Sequence, residues 1–289
     1  MRKNISTDLI LNQDGSIYHL HLHPGEAARD IILVGDPGRV ERVSSLFDTI
    51  EIRKQNREFL THTGYLSGIR ITVLSTGIGT DNIDIVLNEL DAIFNVDLAT
   101  GTLKKELTRL NFIRVGTTGG MQKDIPINSF ILSRMAAGFD GVLNFYNNRD
   151  KVTDPDAEQQ FKSFTSWGNL LPSPYFVRSS DILFDRLNHN IISGITVSAP
   201  GFYGPQCRSL RLNPADPELI HKIESFRYNG MRITNFEMES SALYGLASLL
   251  GHQAVTVCAM IANRITGELT KDYQPVIDKL ISFILNRLF

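Results

Sequence analysis

Two arginines stand where a buried anion would hold them. Arg114 lies inside the apolar run Asn111-Phe-Ile-Arg114-Val-Gly, where a guanidinium is costly unless it meets an opposite charge. That charge can be a bound anion or a buried Asp or Glu, and spacing alone leaves the two equally open. Thr117 follows as a neutral hydroxyl donor, and Arg39 sits one turn into the helical pattern after Gly35. A planar guanidinium fork matches phosphate oxygens. Glycine-rich turns at Gly35, Gly77 and Gly116 each close an apolar strand candidate. A turn of this kind entering a helix offers backbone N–H groups and the positive end of the helix dipole to an anion. None is a dinucleotide fingerprint, because Gly77-Ile-Gly79 lacks the third glycine, and none fits the phosphate loop of nucleotide hydrolases. Taken singly, each turn is an ordinary strand–helix connection; the arginines and Thr117 beside them favour phosphate.

Three further groups carry chemistry. Glu237-Met238-Glu239 opens a helix, where capping is the ordinary role of a carboxylate. Aimed inward, a carboxylate can instead accept two hydrogen bonds from a vicinal diol. Phe202-Tyr-Gly-Pro-Gln206-Cys-Arg208 combines rings, an amide and a guanidinium, a set that can stack on a flat heterocycle and read its edge, or simply form a surface loop. His19, His21 and His23 would share one side of an extended segment, a spacing that can suit a transition metal. No acidic or thiol ligand near them completes a set, and Pro24 breaks the strand, so no metal site is expected.

The elements that must position these residues alternate in type. Strand patterns at Ile31–Val34, Ile69–Ser75, Phe112–Val115, Phe130–Met135, Gly194–Ser198 and Ala254–Ala262 are separated by helical patterns. One helix carries Ile83, Val86, Leu87, Leu90 and Ile93, another runs from about Glu239 to Leu250, and a last one starts at Pro275. This alternation predicts an α/β layer fold with helices on both faces, as one domain over residues 1–289. Asn147–Ser180 reads as an excursion with a short helix near Pro155–Ser166, and Asn95–Arg109 as a polar insertion. The net charge of −2 argues against a nucleic-acid footprint, and no apolar run reaches the ~18 residues of a spanning helix. Two cysteines fit a reducing compartment, so a cytoplasmic protein is expected.

With these residues in place, the chain resembles the nucleoside phosphorylase family, on its uridine-cleaving side. The similarity runs from about Tyr18 to the C-terminus through seven ordered segments: Val34-Gly-Asp-Pro-Gly-Arg39, Arg57-Glu-Phe59, Ser75-Thr-Gly-Ile-Gly79, Arg114-Val-Gly-Thr-Thr-Gly119, Phe202 to Arg208, Phe236-Glu-Met-Glu-Ser240 and Asn263-Arg264. The resemblance implies a three-layer α/β/α fold with a mixed central sheet. It implies a phosphate site of Gly35, Arg39, Arg114 and Thr117, with Arg57 reaching in from a neighbouring chain. It places Met238 and Glu239 on the ribose, with His19 of the neighbour at the 5′-hydroxyl. It places Phe202, Gln206, Arg208 and Arg264 at the base, and a homo-oligomer built from dimers that share active sites.

The reaction implied is phosphorolysis of uridine to uracil and ribose 1-phosphate, with nucleoside and phosphate as the partners. Phosphate is the co-substrate, and no metal or organic cofactor is needed. Gln206 and Arg208 would stabilise charge developing on the base, with Glu239 holding the sugar. Purine-cleaving relatives use an aspartate near Asn263 to protonate the base, which an amide cannot do; Asn263 therefore favours a pyrimidine. Three other readings use the same residues: a purine nucleoside phosphorylase, a nucleosidase that uses water, and a catalytically silent nucleoside-binding protein.

Overall fold

The computed structural model describes residues 8–289. Its strands are β1 (Asp30–Val34), β2 (Thr49–Asn56), β3 (Phe59–Leu66), β4 (Ile69–Ser75), β5 (Val96–Asp97), β6 (Thr102–Leu103) and β7 (Asn111–Gly120). They continue with β8 (Phe130–Gly138), β9 (Tyr175–Arg178), β10 (Ile192–Ser198), β11 (Arg227–Tyr228), β12 (Met231–Glu237) and β13 (Gln253–Asn263). β1 pairs in parallel with β4 on one side and β7 on the other, and β13 pairs in parallel with β7. Near-continuous apolar runs such as Ile31–Val34 suit strands covered on both faces. The sheet is mixed, because β8 runs antiparallel to β13 and parallel to β10, which lies parallel to β12.

Pairing does not stop at the sheet's edge. β12 returns to β7 through Asn235↔Gly120 and Phe236↔Gly119, so β7, β13, β8, β10 and β12 close into a ring. At Gly120 a Cβ would stand 2.4 Å from the sulfur of Met260 on β13, so a larger residue would require that flexible side chain to move. A polar chain crosses the ring, from Ser133 through Thr196 and Asn235 to Thr118. Each of its members is fully or almost fully buried and hydrogen-bonded.

Helices cover both faces, as the alternation predicts. Helices Thr80–Asn95 and Ser240–Leu249 bury Leu87, Leu90, Leu243 and Leu246 in one apolar cluster. Helices Pro37–Ser44, Asp181–Leu187 and Gln274–Leu288 bury Val40, Leu183 and Leu280 in another. The excursion contains helix Pro155–Thr165 and then β9, which adds to β8. The polar insertion folds as the β5–β6 ribbon, tied back by the Asn95 side chain to the backbone of Thr108.

Two local expectations need correction. The histidine segment is not extended: His21 has φ 54, and its N–H donates to Ile17 O at 3.0 Å, so the chain turns. His19 meets Glu89, and His23 faces Asp14 at 3.7 Å. Gly116 is not a turn either. It lies within β7 opposite Cys258, where a Cβ would stand 2.8 Å from that sulfur, so close strand packing is what requires glycine there. The β2–β3 hairpin leaves no apolar periodicity to read, because edge strand β2 alternates exposed polar residues with half-buried ones.

Candidate active site

The C-terminal ends of β1, β4 and β12 and the outer half of β7 converge, as a sheet with parallel strands arranges its loops. Helix Pro37–Ser44 starts at Asp36, whose carboxylate accepts from Gly38 N at 2.9 Å, with proline in the first turn. That start sets Arg39 in a buried position, its Nη1 donating to Val115 O at 3.1 Å. Burial, then the charge of Arg114, pulls the Arg39 guanidinium below its ordinary pKa. Two buried guanidiniums that repel each other form a place an anion would stabilise.

Arg114 answers the question its spacing left open, and it meets carboxylates. Its Nε donates to Glu237 Oε2 at 3.4 Å and its Nη2 to Glu239 Oε2. Burial lowers its pKa, but Glu239 and Glu237 more than offset this and the net shift is upward. One nitrogen, Nη1, is buried and has no hydrogen-bond partner. An orphaned donor of this kind costs about 1–3 kcal/mol.

The two carboxylates divide the roles that the sequence could not separate. Glu237 is the cap: it accepts from the backbone N–H of Glu239 and of Ser240, each at 3.0 Å, and from the Ser198 hydroxyl. Glu239 makes no capping bond to the helix that it precedes. Its Oε1 accepts from Gly79 N at 2.9 Å across the pocket. Met238 lies half-buried between them. Gly79 has φ 98, a backbone state that favours glycine, and begins helix Thr80–Asn95. Burial pushes the Glu239 carboxyl up, Arg114 pulls it down and Glu237 pushes it up again, leaving it at about 7.

Alternation along β7 separates two neighbouring threonines. Thr118 Oγ1 donates to Phe236 O and accepts from Asn235 inside the ring. Thr117 is half-buried, and no side-chain hydrogen bond to it is present among the described residues. Gly35 is half-buried with ordinary space around a Cβ position, the nearest atom being Gly77 O at 3.5 Å. No packing inside the chain therefore requires glycine at that position.

Phe202, Gln206 and Arg208 lie on a separate loop. Arg208 Nη1 donates to Phe202 O at 2.7 Å and to Gln206 Oε1 at 2.5 Å, and its guanidinium lies 3.7 Å from the centre of the Phe202 ring. Arg264 donates to Gln206 O at 2.8 Å and fixes the loop to the end of β13. Burial, then Arg264, pushes Arg208 down to about 10, so it stays charged at neutral pH. A cavity of about 970 Å³ opens beside this loop, between Trp167, Leu171, Tyr203, Arg208 and Leu212.

Asn263 is buried beside the Gln122–Ile125 turn. Its Nδ2 donates to Gln122 O and Ile125 O, and its Oδ1 accepts from Ile265 N and Thr266 N. Four backbone bonds hold the amide in place, and the position carries no carboxylic acid that could protonate a base. Arg57 lies exposed at the β2–β3 turn with φ 54, and no hydrogen bond or ion pair joins it to Arg39 or Arg114 among the described residues. His19 is its neighbour: Asn56 Nδ2 donates to His19 O at 2.8 Å. Sequence reasoning missed Ser198 and the Gly79 N–H as supports of the two carboxylates; Gly79 was visible as a turn glycine, whereas Ser198 left no signal.

Residues 29–283 match the Phosphorylase superfamily, PNP_UDP_1, and the chain belongs to it. It is 34% identical over 272 residues to the uridine phosphorylase of Thermococcus kodakarensis, covering 94% of this chain and 86% of that one. A DeoD-type purine nucleoside phosphorylase of Oceanobacillus iheyensis is 30% identical over 255 residues, covering 87% and 89%. The crystal structure of the Trypanosoma brucei nucleoside phosphorylase, described as showing uridine phosphorylase activity, superposes with a TM-score of 0.86 at 28% identity, over 97% of this chain and 99% of that one.

Proposed function

We propose that this chain is a uridine phosphorylase, a pentosyltransferase that converts uridine and phosphate reversibly into uracil and ribose 1-phosphate. The observation that carries the reading is the buried, unpartnered Nη1 of Arg114 beside the buried Arg39. An anion would complete both groups, whereas a water-using hydrolase gives them nothing to hold. In this reading Gly35, Arg39, Arg114 and Thr117 bind phosphate, which attacks C1′ as the bond to the base breaks. The phosphate anion stabilises the positive charge developing on the sugar. Gln206 and Arg208 stabilise the negative charge moving onto uracil, with Phe202 packed against the ring and Arg264 supporting the loop. Glu239, beside Met238, accepts from the ribose hydroxyls.

Phosphate is the co-substrate, and the chemistry requires no metal or organic cofactor. Arg57 and His19, exposed or half-exposed and joined through Asn56, suit a dimer in which each chain completes the other's pocket. Among the described residues no helix is long and apolar enough to cross a membrane. Free Cys207 and Cys258 fit a reducing, cytoplasmic setting. The test is product analysis with uridine, with and without phosphate, beside inosine. Uracil and ribose 1-phosphate should appear only with phosphate, and little product from inosine. Base release without phosphate would make the protein a nucleosidase, and faster cleavage of inosine would make it a purine phosphorylase.

A further inference from the structure

Glu89 lies on helix Thr80–Asn95 and belongs to none of the groups above, yet it makes four contacts with the turn that carries His19. One oxygen stands 2.5 Å from His19 Nδ1, and the carboxylate also accepts from the backbone N–H of His19, at 3.1 and 3.0 Å, and of Leu20, at 2.9 Å. A carboxylate that accepts from these groups defines the ring. Nδ1 must carry the hydrogen, which leaves Nε2 of the neutral imidazole as an acceptor. Nε2 has no hydrogen-bond partner among the described residues, and a quarter of the side chain is exposed. The ring is clamped by edge contacts with Tyr18, at 4.8 Å between centres, and Phe59, at 6.4 Å. The Asn56 amide anchors the backbone oxygen of His19 to the residue before Arg57.

We infer that Glu89 is a positioning residue that presents His19 Nε2, as an acceptor, to the 5′-hydroxyl of a nucleoside in the partner's pocket, and so sets the preference for nucleosides that carry this hydroxyl. The inference rests on the proposed placing of His19 at the ribose 5′ end. A merely structural Glu89, needed only to satisfy the two backbone N–H groups of the turn, would affect all substrates alike. A positioning role acts only on substrates with a 5′-hydroxyl. A hydrogen bond of ordinary strength corresponds to about five- to tenfold in affinity.

The experiment measures kcat and KM of the whole enzyme for uridine and for 5′-deoxyuridine at saturating phosphate, in wild type, His19→Ala, Glu89→Ala and the double variant. Each single variant should lose about five- to tenfold of the preference for uridine, mainly in KM, with 5′-deoxyuridine little changed. The double variant should lose no more than either single one, because the two residues act as one unit. If His19→Ala loses the preference while Glu89→Ala keeps it, Glu89 has no positioning role. If His19→Ala keeps it, the placing of His19 at the 5′ end is wrong and the inference falls with it. A second measurement needs no folded Glu89 variant: 15N NMR of the wild-type protein, with the His19 signals assigned by their loss in His19→Ala. The neutral ring should be protonated on Nδ1; protonation on Nε2 overturns the inference.

Discussion

Arg114 and Gln206 are equally buried, at 4% exposure each, but the chain holds them in different ways. Arg114 sits in a ten-residue strand, registered against Leu33 of β1 and Thr256 of β13, with two carboxylates on its guanidinium. Gln206 ends a three-residue 3-10 turn between exposed Phe202 and Tyr203 on one side and exposed Leu210 on the other. Arg264 and Arg208 tie that loop down with three hydrogen bonds. In the proposed reading the anion and sugar side is therefore part of the sheet, whereas the base side is an attachment to it. Loops on a rigid scaffold can change specificity without disturbing the chemistry beneath them. Likeness of this chain to both a uridine and a purine phosphorylase is what such a division produces.

The comparison breaks most directly at Arg114. Arg114→Ala removes the anion site and strands Glu237 and Glu239 in a buried position with no countercharge. Turnover should fall by roughly a thousandfold or more, with a steep rise in the phosphate requirement. Stability should fall by about 3–5 kcal/mol, since breaking a buried pair leaves a charge uncompensated. Phosphate saturation kinetics and denaturant unfolding check both effects. An Arg114→Ala enzyme with unchanged phosphate dependence would remove Arg114 from the anion site.

Gln206→Ala should act on the other side alone. The side chain accepts only from Arg208, which keeps Phe202 O as a second partner. We expect the KM for uridine to rise about 3–10-fold, the range for a hydrogen bond between neutral groups, with stability within about 1 kcal/mol of wild type. Uridine and phosphate saturation curves, read with a thermal melt, separate the two sides. A Gln206→Ala protein destabilised as much as Arg114→Ala would show that the loop is structural after all.

How much of this was legible in the sequence follows the same division. The glycine turns at Gly35 and Gly77, Arg39 and the strand carrying Arg114 could be read locally, because apolar periodicity and turn chemistry are local signals. The choice between anion and carboxylate for Arg114 could not, since its partners lie more than 120 residues away, at the end of β12 and just after it. Ring closure was invisible for the same reason: Asn235↔Gly120 is a long-range pair. The histidines misled because their spacing was read on an extended chain, and the positive φ of His21 bends it.

The smallest predicted effect sharpens the contrast without changing the pocket's shape. Glu237 and Glu239 share one guanidinium, and burial together with Glu237 pushes the Glu239 carboxyl up to about 7, against 4.5 for an ordinary glutamate. Between those values the folded protein binds more protons than the unfolded chain, so stability falls as pH rises through that window. The slope is at most about 1.4 kcal/mol per pH unit and flattens above the folded value. Glu239→Gln should remove it, read as the difference in melting temperature from wild type between pH 5 and pH 8 in phosphate-free buffer. A difference that does not vary with pH would mean that Arg114 keeps Glu239 ionised throughout. Arg208, pushed down only to about 10, does not titrate in this range, so Gln206→Ala should show the wild-type slope. A slope that followed Gln206 instead would couple the two sides and undo the division between them.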